Sequence, residues 1–288
     1  MTELDNIYNE DCLQGMRRME AESVDLTVTS PPYDNLRTYN GYCFDFENIA
    51  RELYRVTKQG GVVVWVVGDA TIDGDETGMS FRQALFFKEI GFKLHDTMIY
   101  KKSSVACYDP KCLRYKQCFE YMFVLSKGKP KTFNSINDKP VLKKGNTHDS
   151  PHGRDPKGNR RWHRKPYEIS EYQARFNIWE YNVGNNCSTR DDIAFKHPAI
   201  FPERLASDHI KSWSNEGDIV LDPFMGSGTT AKVARALGRH YIGFEISAEY
   251  CDIIRQRLEQ TKTLFDPTPH PSSISHRNRV NPRHGFSR

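Results

Sequence analysis

Two short segments of this 288-residue sequence carry residue types suited to chemistry. The first is Thr29-Ser30-Pro31-Pro32-Tyr33, which follows the apolar stretch Val24–Val28. Each proline fixes its own φ angle and restricts the residue before it, so this loop is predicted to be stiff. It presents a hydroxyl, main-chain acceptors and an aromatic ring, which suits a planar base stacked on Tyr33 with its amino group donating to Ser30. Taken alone, a Pro-Pro turn after a strand is more often structural.

The second segment is Asp222-Pro223-Phe224-Met225-Gly226-Ser227-Gly228-Thr229-Thr230, which lies between a predicted strand and a predicted helix. Glycines at such a turn let a ligand approach the backbone, and the helix N-terminus offers N–H groups to a carboxylate. The next predicted strand ends at Glu245, where an acid can accept hydrogen bonds from ribose hydroxyls. The combination predicts a nucleoside-containing ligand. ATP and NAD are not expected, because the segment lacks both the phosphate-loop lysine and the three-glycine fingerprint.

Short apolar runs alternate with amphipathic stretches around both segments. The predicted strands are Val24–Thr29, Val62–Val67, His95–Tyr100, Glu120–Leu125, Asp218–Leu221 and His240–Glu245. The predicted helices are Phe46–Val56, Ser80–Ile90, Pro202–Trp213, Thr229–Leu237 and Ala248–Leu264. This alternation indicates an α/β fold with a mostly parallel sheet, in which ligands bind at the carboxyl ends of the strands.

A basic stretch between about residues 128 and 190 interrupts this rhythm. From Lys127 to Arg175 there are 13 Lys or Arg against five Asp or Glu, in a chain of net charge +4. Interleaved aromatic residues argue against simple disorder. We predict an insert that binds a polyanion, with a solvated basic loop as the alternative. The residues expected to contact phosphates or bases are Arg154, Lys157, Arg160, Arg161, Trp162, Arg164, Lys165 and Tyr167.

The remaining composition argues against several classes of protein. The longest apolar run, Val62–Val67, is too short to cross a bilayer, and the polar N-terminus shows no secretory signal. Seven scattered cysteines, an odd number, are typical of a reduced protein, so we expect a cytoplasmic location without membrane contact. No metal is expected, because Cys107, Cys112 and Cys118 lack the spacing of a zinc knuckle.

Together, the two segments resemble the catalytic and cofactor motifs of bacterial and phage amino-group DNA methyltransferases. Their order, with the catalytic segment before a variable region and the cofactor segment last, resembles the permuted β class of site-specific N4-cytosine and N6-adenine enzymes. The resemblance covers about residues 5–260. It implies a Rossmann-like class I methyltransferase fold, α/β and circularly permuted, with a small target-recognition insert. The implied sheet is mixed and seven-stranded, with an antiparallel terminal strand.

The resemblance also implies a division of labour along the chain. In this division, residues 1–127 are the catalytic half, 128–190 the target-recognition insert and 191–265 the cofactor-binding half. Residues 266–288 have no apolar period and are predicted from their composition to be a disordered basic tail. S-adenosylmethionine is the implied cofactor, and the implied substrate is an exocyclic amino group of a base flipped from double-stranded DNA. Homodimers are frequent in the family, and a restriction-modification system would add a cognate endonuclease as partner.

Individual residues follow from matching the motifs position by position. The implied catalytic residues are Ser30, Pro31, Pro32 and Tyr33, and the implied cofactor-binding residues are Asp11, Asp222, Phe224, Gly226, Ser227, Gly228, Thr229 and Glu245. Asp11 belongs to Asn9-Glu10-Asp11-Cys12, which resembles the family's Gly-Asp-Cys segment with Glu replacing Gly, and it would approach the cofactor adenine. Lys196-His197-Pro198 resembles the segment that closes the methionine pocket.

The target base stays open between two candidates. Ser30 preceded by Thr29 resembles N4-cytosine enzymes most, so cytosine is favoured, with N6-adenine as the alternative. Methylation at cytosine C5 is disfavoured, because the chain contains no Pro-Cys dipeptide to supply a thiolate. Two alternatives of another class remain. One is an RNA or protein methyltransferase that uses the same loop, and the other is a DNA-binding protein that has kept the fold but is not an enzyme.

Overall fold

The structure is a computed structural model and describes residues 2–32, 44–103, 113–142, 147–148, 155–159, 167–168, 170–184 and 187–261. The helices are α1 Cys12–Arg17, α2 Phe46–Val56, α3 Met79–Glu89, α4 Glu203–Trp213, α5 Thr229–Ala236 and α6 Ala248–Gln260, with a 3₁₀ helix at Asp192–Lys196. The strands are β1 Asn6–Tyr8, β2 Val24–Thr29, β3 Thr57–Val67, β4 Thr71–Ile72, β5 Asp75–Glu76, β6 Lys93–Lys102, β7 Phe119–Ser126, β8 Asn137–Pro140, β9 Thr147–His148, β10 Tyr167–Glu168, β11 Tyr172–Ala174, β12 Ile178–Tyr181, β13 Ile219–Asp222 and β14 His240–Phe244.

Eight of these strands form one mixed sheet in the order β1-β14-β13-β2-β3-β7-β6-β12. Neighbouring strands run parallel except at β7, which is antiparallel to both β3 and β6. The expected mixed α/β sheet is confirmed, with two corrections. The sheet has eight strands rather than seven, and its antiparallel strand lies inside the sheet rather than at the end.

The eighth strand, β12, comes from the segment predicted to be the insert. Trp179 and Tyr181 are buried against the sheet, whereas Ile178 and Glu180 point outward. The alternation is that of an edge strand with one covered face. A strand of four residues in a polar stretch is too short to be recognised from its hydrophobic periodicity, so β12 is identified only by its pairing with β6.

Helices cover both faces of the sheet, which explains the uninterrupted apolar run in β3. Val62, Val64 and Val66 face the core shared with α4, α5 and α6. Val63, Trp65 and Val67 face the core shared with α1, α2 and α3. Because both faces of this strand are buried, every second residue no longer has to be polar.

Most predicted elements are confirmed, with shifts of a few residues at their ends. The helix Phe46–Val56 has the expected bounds and begins after Asp45, whose side chain accepts a hydrogen bond from the Asn48 N–H. The strand expected at Val62–Val67 begins earlier, at Thr57. No helix among the described residues is long and apolar enough to cross a membrane.

The sheet order brings the two halves of the chain together. β1 pairs in parallel with β14, although more than 230 positions separate Asn6 from Ile242. β13 lies directly beside β2, with Leu221 opposite Thr27. The loops that follow β2 and β13 therefore emerge side by side at the carboxyl edge of the sheet.

Candidate active site

Both motif segments line one cavity of about 580 Å³. Ser30, Pro31 and Pro32 line it from the end of β2. The glycine segment contributes Asp222, Pro223, Phe224, Met225, Gly226, Ser227 and Thr229, and Glu245 lines the cavity from the end of β14. The structure thus brings together most of the residues proposed from the sequence. Tyr33 lies outside the described residues.

A buried hydrogen bond joins the two segments. The Thr29 Oγ1 donates to Asp222 Oδ1 at 2.7 Å, and the Phe224 N–H donates to the same oxygen at 3.0 Å. Nearby, the Thr230 hydroxyl donates to the Val28 carbonyl at 3.1 Å. Burial raises the pKa of Asp222 to about 6, against the opposing effect of these hydrogen bonds. The Asp222 carboxyl group therefore connects the loop that follows β2 to the loop that follows β13.

The two glycines of the cofactor segment have different roles. Gly226 has a φ of 52°, and a Cβ there would lie 3.1 Å from the His197 ring, at the cavity wall. Gly228 has a φ of 78° and is the N-cap residue of α5, but it does not line the cavity. A Cβ at Gly228 would lie 2.5 Å from Ile254 on α6. Gly226 therefore preserves the shape of the cavity, and Gly228 allows α5 to pack against α6.

Glu245 is held in place by main-chain donors. Its Oε2 accepts from the Gly226 N–H at 2.8 Å, and its Oε1 accepts from the Ser247 N–H at 2.9 Å. Burial raises the pKa of Glu245, and both main-chain hydrogen bonds oppose that rise. A carboxylate has about four acceptor positions, so each oxygen can accept a further hydrogen bond from a diol.

Asp11, to which the resemblance gives a place near the cofactor adenine, lies at the N-terminus of α1. It does not line the cavity, whereas its neighbours Glu10 and Cys12 do. The Asp11 carboxylate instead caps α1 and accepts hydrogen bonds from the N–H groups of Leu13 and Gln14, at 3.0 and 3.1 Å. An aspartate at this position satisfies otherwise unpaired N–H groups of the first turn.

The segment between the 3₁₀ helix and α4 forms another wall of the cavity. Its lining residues are His197, Pro198, Ala199, Ile200 and Phe201. The His197 ring packs edge-on against the Tyr250 ring, with centroids 4.5 Å apart, and its Nδ1 lies 2.8 Å from the Ala199 carbonyl oxygen. Of Lys196-His197-Pro198, which resembles the segment that closes the methionine pocket, His197 and Pro198 line the cavity and Lys196 does not.

A partly buried ion cluster, formed by Asp191, Glu203, Lys232 and Arg257, contacts the glycine segment through Arg257. The Arg257 side chain is 0% exposed and lies 3.0 Å from Asp191 and 2.8 Å from Glu203. Lys232 pairs with the same two carboxylates at 2.6 and 2.7 Å. Arg257 Nη1 also donates to the Ser227 carbonyl. Sequence reasoning missed this cluster because its members are distant in sequence.

Further lining residues come from strands that the sequence analysis predicted without assigning them a function. Tyr100 and Lys102 of β6 and Glu120 of β7 all line the cavity. Asp69, by contrast, is not a lining residue, and it accepts a hydrogen bond from the Ser80 N–H at 2.8 Å at the start of α3. Asp69 therefore satisfies an N–H group in the first turn of α3.

Much of the predicted DNA-contacting surface falls outside the described residues. Those outside are Arg154, Arg160, Arg161, Trp162, Arg164 and Lys165, together with Cys107, Cys112 and the tail at 266–288. Lys157 is described and exposed. The two-stranded sheet of β8 and β11 is anchored to α4 through Arg175, which pairs with Asp138 and, at 2.7 Å, with Asp208.

The cavity fits a nucleoside linked to an amino acid. Its volume is that of a typical cofactor site, and a Cβ at Gly226 would lie too close to the His197 ring in the cavity wall. The buried acid Glu245 can receive a ribose, and the N–H groups at the start of α5 lie beside Ser227 and Thr229 for a carboxylate. These features match the donors and acceptors of S-adenosylmethionine.

Comparisons with known proteins agree with this geometry. The N6_N4_Mtase family model, described as DNA methylase, matches residues 24–256. The orphan methyltransferase M.BamHII of Bacillus amyloliquefaciens is 62% identical over 238 residues, which cover 82% of this chain and 89% of that protein.

Solved structures share the fold. The PvuII DNA methyltransferase, described as cytosine-N4-specific, superposes with a TM-score of 0.63 at 20% identity over 91% of this chain and 95% of that one. The M1.HpyAVI–SAM complex gives a TM-score of 0.58 at 22% identity over 88% of this chain and 98% of that one. The chain belongs to the N6_N4_Mtase family of DNA methylases and is an S-adenosylmethionine-dependent DNA methyltransferase of the amino type.

Proposed function

We propose that this protein methylates the N4 amino group of a cytosine that is flipped out of double-stranded DNA. The observation that carries the proposal is the single cavity lined by both Ser30-Pro31-Pro32 and the glycine segment. The hydrogen bond from Thr29 to Asp222 holds these two segments together. An amino group bound at the first segment therefore lies beside the cofactor bound at the second.

The residues of the catalytic loop bind and orient the base. The Ser30 hydroxyl and a main-chain carbonyl of the proline loop accept hydrogen bonds from the exocyclic amino group, and Tyr33 stacks on the ring. S-adenosylmethionine supplies an activated methyl group. Because the prolines limit loop motion, the nitrogen lone pair is held towards the donor, and such positioning supplies much of the rate.

The cofactor-binding roles follow from the same cavity. Glu245 receives the ribose hydroxyls, and Phe224 packs along the nucleoside. Asp222, Ser227 and Thr229 surround the methionine part, with the ionised Asp222 beside its ammonium group. The segment from His197 to Phe201 excludes water from this end of the cavity.

Cytosine N4 is favoured over adenine N6 because a serine, rather than Asp or Asn, opens the catalytic motif. The cytosine-N4-specific description of the PvuII enzyme, which shares the fold, is in keeping with this choice. Double-stranded DNA is the proposed partner, with the basic insert as its main contact surface. A homodimer and a cognate endonuclease stay predictions.

Nucleoside mass spectrometry tests the proposal. The protein is incubated with mixed-sequence duplex DNA and S-adenosylmethionine carrying an isotopically labelled methyl group, and the DNA is digested to nucleosides. Labelled N4-methylcytosine is expected, and the Ser30→Ala variant serves as the matched loss-of-function sample. Labelled N6-methyladenine would establish the alternative base. Label in structured RNA but not in DNA would overturn the proposed substrate.

A further inference from the structure

Lys102 and Glu120 lie at the end of the cavity that is remote from the cofactor segment. β6 ends at Lys102, and antiparallel β7 begins at Phe119, so both residues lie at the carboxyl edge of the sheet. In the sheet order, β13 lies on one side of β2 while β3, β7 and β6 follow on the other. Ser30 at the end of β2 therefore separates the cofactor segment from these two charged residues.

Strand spacing sets the scale of this arrangement. Neighbouring strands lie about 4.8 Å apart, which places β13 about 5 Å from β2 and β6 about 14 Å from β2 on the opposite side. A base whose amino group is bound at Ser30 has its ring directed away from the cofactor segment. The far part of that ring then approaches β7 and β6.

The two side chains form a partly buried ion pair. Lys102 Nζ lies 2.5 Å from Glu120 Oε1, and the side chains are 31% and 16% exposed. The same Nζ lies 6.0 Å from the centre of the Tyr100 ring, which is 3% exposed. The carboxylate and the ring hold the ammonium group at the cavity wall. An ammonium group has three donors and no acceptor, so donors remain for a ligand.

We propose that Lys102 recognises the ring carbonyl O2 of the flipped cytosine and that Glu120 is a positioning residue for its ammonium group. The inference rests on the proposed function. When the amino group of cytosine is bound, the same edge of the ring offers N3 and then O2 as acceptors. Adenine offers N1 and then a C–H group, which accepts nothing. A donor at the far end of the cavity therefore selects cytosine over adenine.

The experiment pairs a variant with a modified substrate. Once the target site is mapped, kcat/KM is measured on a duplex with cytosine at the target position and on one with a 2-aminopyridine nucleoside, which keeps the amino group and ring nitrogen but lacks the carbonyl. The wild-type protein is expected to prefer cytosine by about 10- to 100-fold, the range for a hydrogen bond to a charged group. Lys102→Met should lower kcat/KM on cytosine by a similar factor and remove most of that preference.

Lys101→Met is the matched control. Lys101 is the preceding residue of β6, does not line the cavity, and forms its own ion pair with Glu180 at 2.9 Å. It should retain the wild-type kcat/KM and preference. Lys102→Gln serves as a second substitution of the same residue. The dissociation constant for S-adenosylmethionine should be unchanged in Lys102→Met, Lys102→Gln and Lys101→Met. Glu120→Gln should weaken the preference less than Lys102→Met and leave kcat/KM on the analogue unchanged.

Three results would overturn the inference. If Lys102→Met and Lys102→Gln keep the wild-type preference, Lys102 does not contact the carbonyl. If both variants lower kcat/KM by the same factor on the two duplexes and lessen the salt dependence of DNA binding, Lys102 contacts a phosphate instead. In these two cases N4-methylcytosine in the wild-type product leaves the proposed function intact. N6-methyladenine in the wild-type product would refute both proposals.

Discussion

Asp222 is expected to reduce the stability of the fold at neutral pH in return for its role in the cavity. Burial raises its pKa from 3.8 to about 6, so the folded protein holds this proton more tightly than the unfolded chain does. The stabilisation that the protonated form of Asp222 gives the folded protein is therefore complete below about pH 4 and is lost as the pH rises through about 6. A difference of about two pKa units corresponds to about 3 kcal/mol at pH 7.

Asp222→Asn removes this ionisation while keeping an oxygen to accept from Thr29 and Phe224. At pH 7 the variant should therefore be more stable than the wild type, by up to about 3 kcal/mol. The stability it gains over the wild type should disappear towards pH 4. Affinity for S-adenosylmethionine should fall by about 10- to 100-fold, because the neutral amide cannot pair with the cofactor ammonium group.

Urea unfolding between pH 4 and pH 8 and titration of the cofactor provide the two readouts. Asp252→Asn is the control, because Asp252 is an exposed aspartate whose side chain is 68% accessible. It should change neither the pH dependence nor the affinity. The reasoning would be refuted if the stability of Asp222→Asn had the same pH dependence as that of the wild type, or if the variant were less stable than the wild type at pH 7. Either result would show that burial of the ionised Asp222 does not destabilise the fold.

Three further substitutions test other parts of the site. Arg257→Met should lower the free energy of unfolding by about 3 kcal/mol, because it removes a buried cation and leaves the partly buried carboxylates of Asp191 and Glu203 with Lys232 as their remaining partner in the cluster. Arg255→Met removes an exposed ion pair and should cost less than about 1 kcal/mol in urea unfolding. Gly226→Ala should weaken cofactor binding in calorimetry, whereas Gly217→Ala, with a φ of 80° and no neighbour within 4 Å of the new Cβ, should lower only stability. Ser30→Ala should lower kcat at least about tenfold and leave cofactor affinity unchanged, in single-turnover and binding assays.

Each of these substitutions has an outcome that contradicts its premise. Equal losses of stability from Arg257→Met and Arg255→Met would show that the partly buried ion cluster does not contribute substantially to the stability of the fold. Equal cofactor affinities for Gly226→Ala and Gly217→Ala would show that the His197 wall does not border the cofactor. A wild-type kcat for Ser30→Ala would remove this hydroxyl from the chemistry.

Local patterns predicted the parts of the fold that are long or strongly periodic. The helix Phe46–Val56 was readable because Ile49, Leu53 and Val56 recur at helical spacing, and these residues are buried as expected. β1 and β12 were not readable, because three or four residues show no period and depend on a neighbouring strand for their hydrogen bonds. The position of the antiparallel strand within the sheet likewise depends on pairing distant in sequence.

In the candidate site, too, features with a local sequence signal could be predicted, and features that depend on the pairing of distant strands could not. Both loops were recognisable because glycines and prolines restrict or free the backbone locally, whatever surrounds them. Their common cavity arises from the adjacency of β2 and β13. The N-cap role of Asp11 could have been read from the sequence, because an aspartate just before a helix is a recognisable N-cap signal, whereas its contact with the cofactor stays a prediction. Lys102 and Glu120 carry no local signal, since only the pairing of β6 with β7 brings them together.

A crystal structure of the protein with S-adenosylhomocysteine tests the central claim most directly, because that ligand keeps the sulfur and lacks only the methyl group. The account predicts the ribose at Glu245, the amino-acid part at the glycine segment and the sulfur facing the loop of Ser30 and Pro31. A ligand bound outside this cavity, or one bound within it with the sulfur turned away from that loop, would contradict the account.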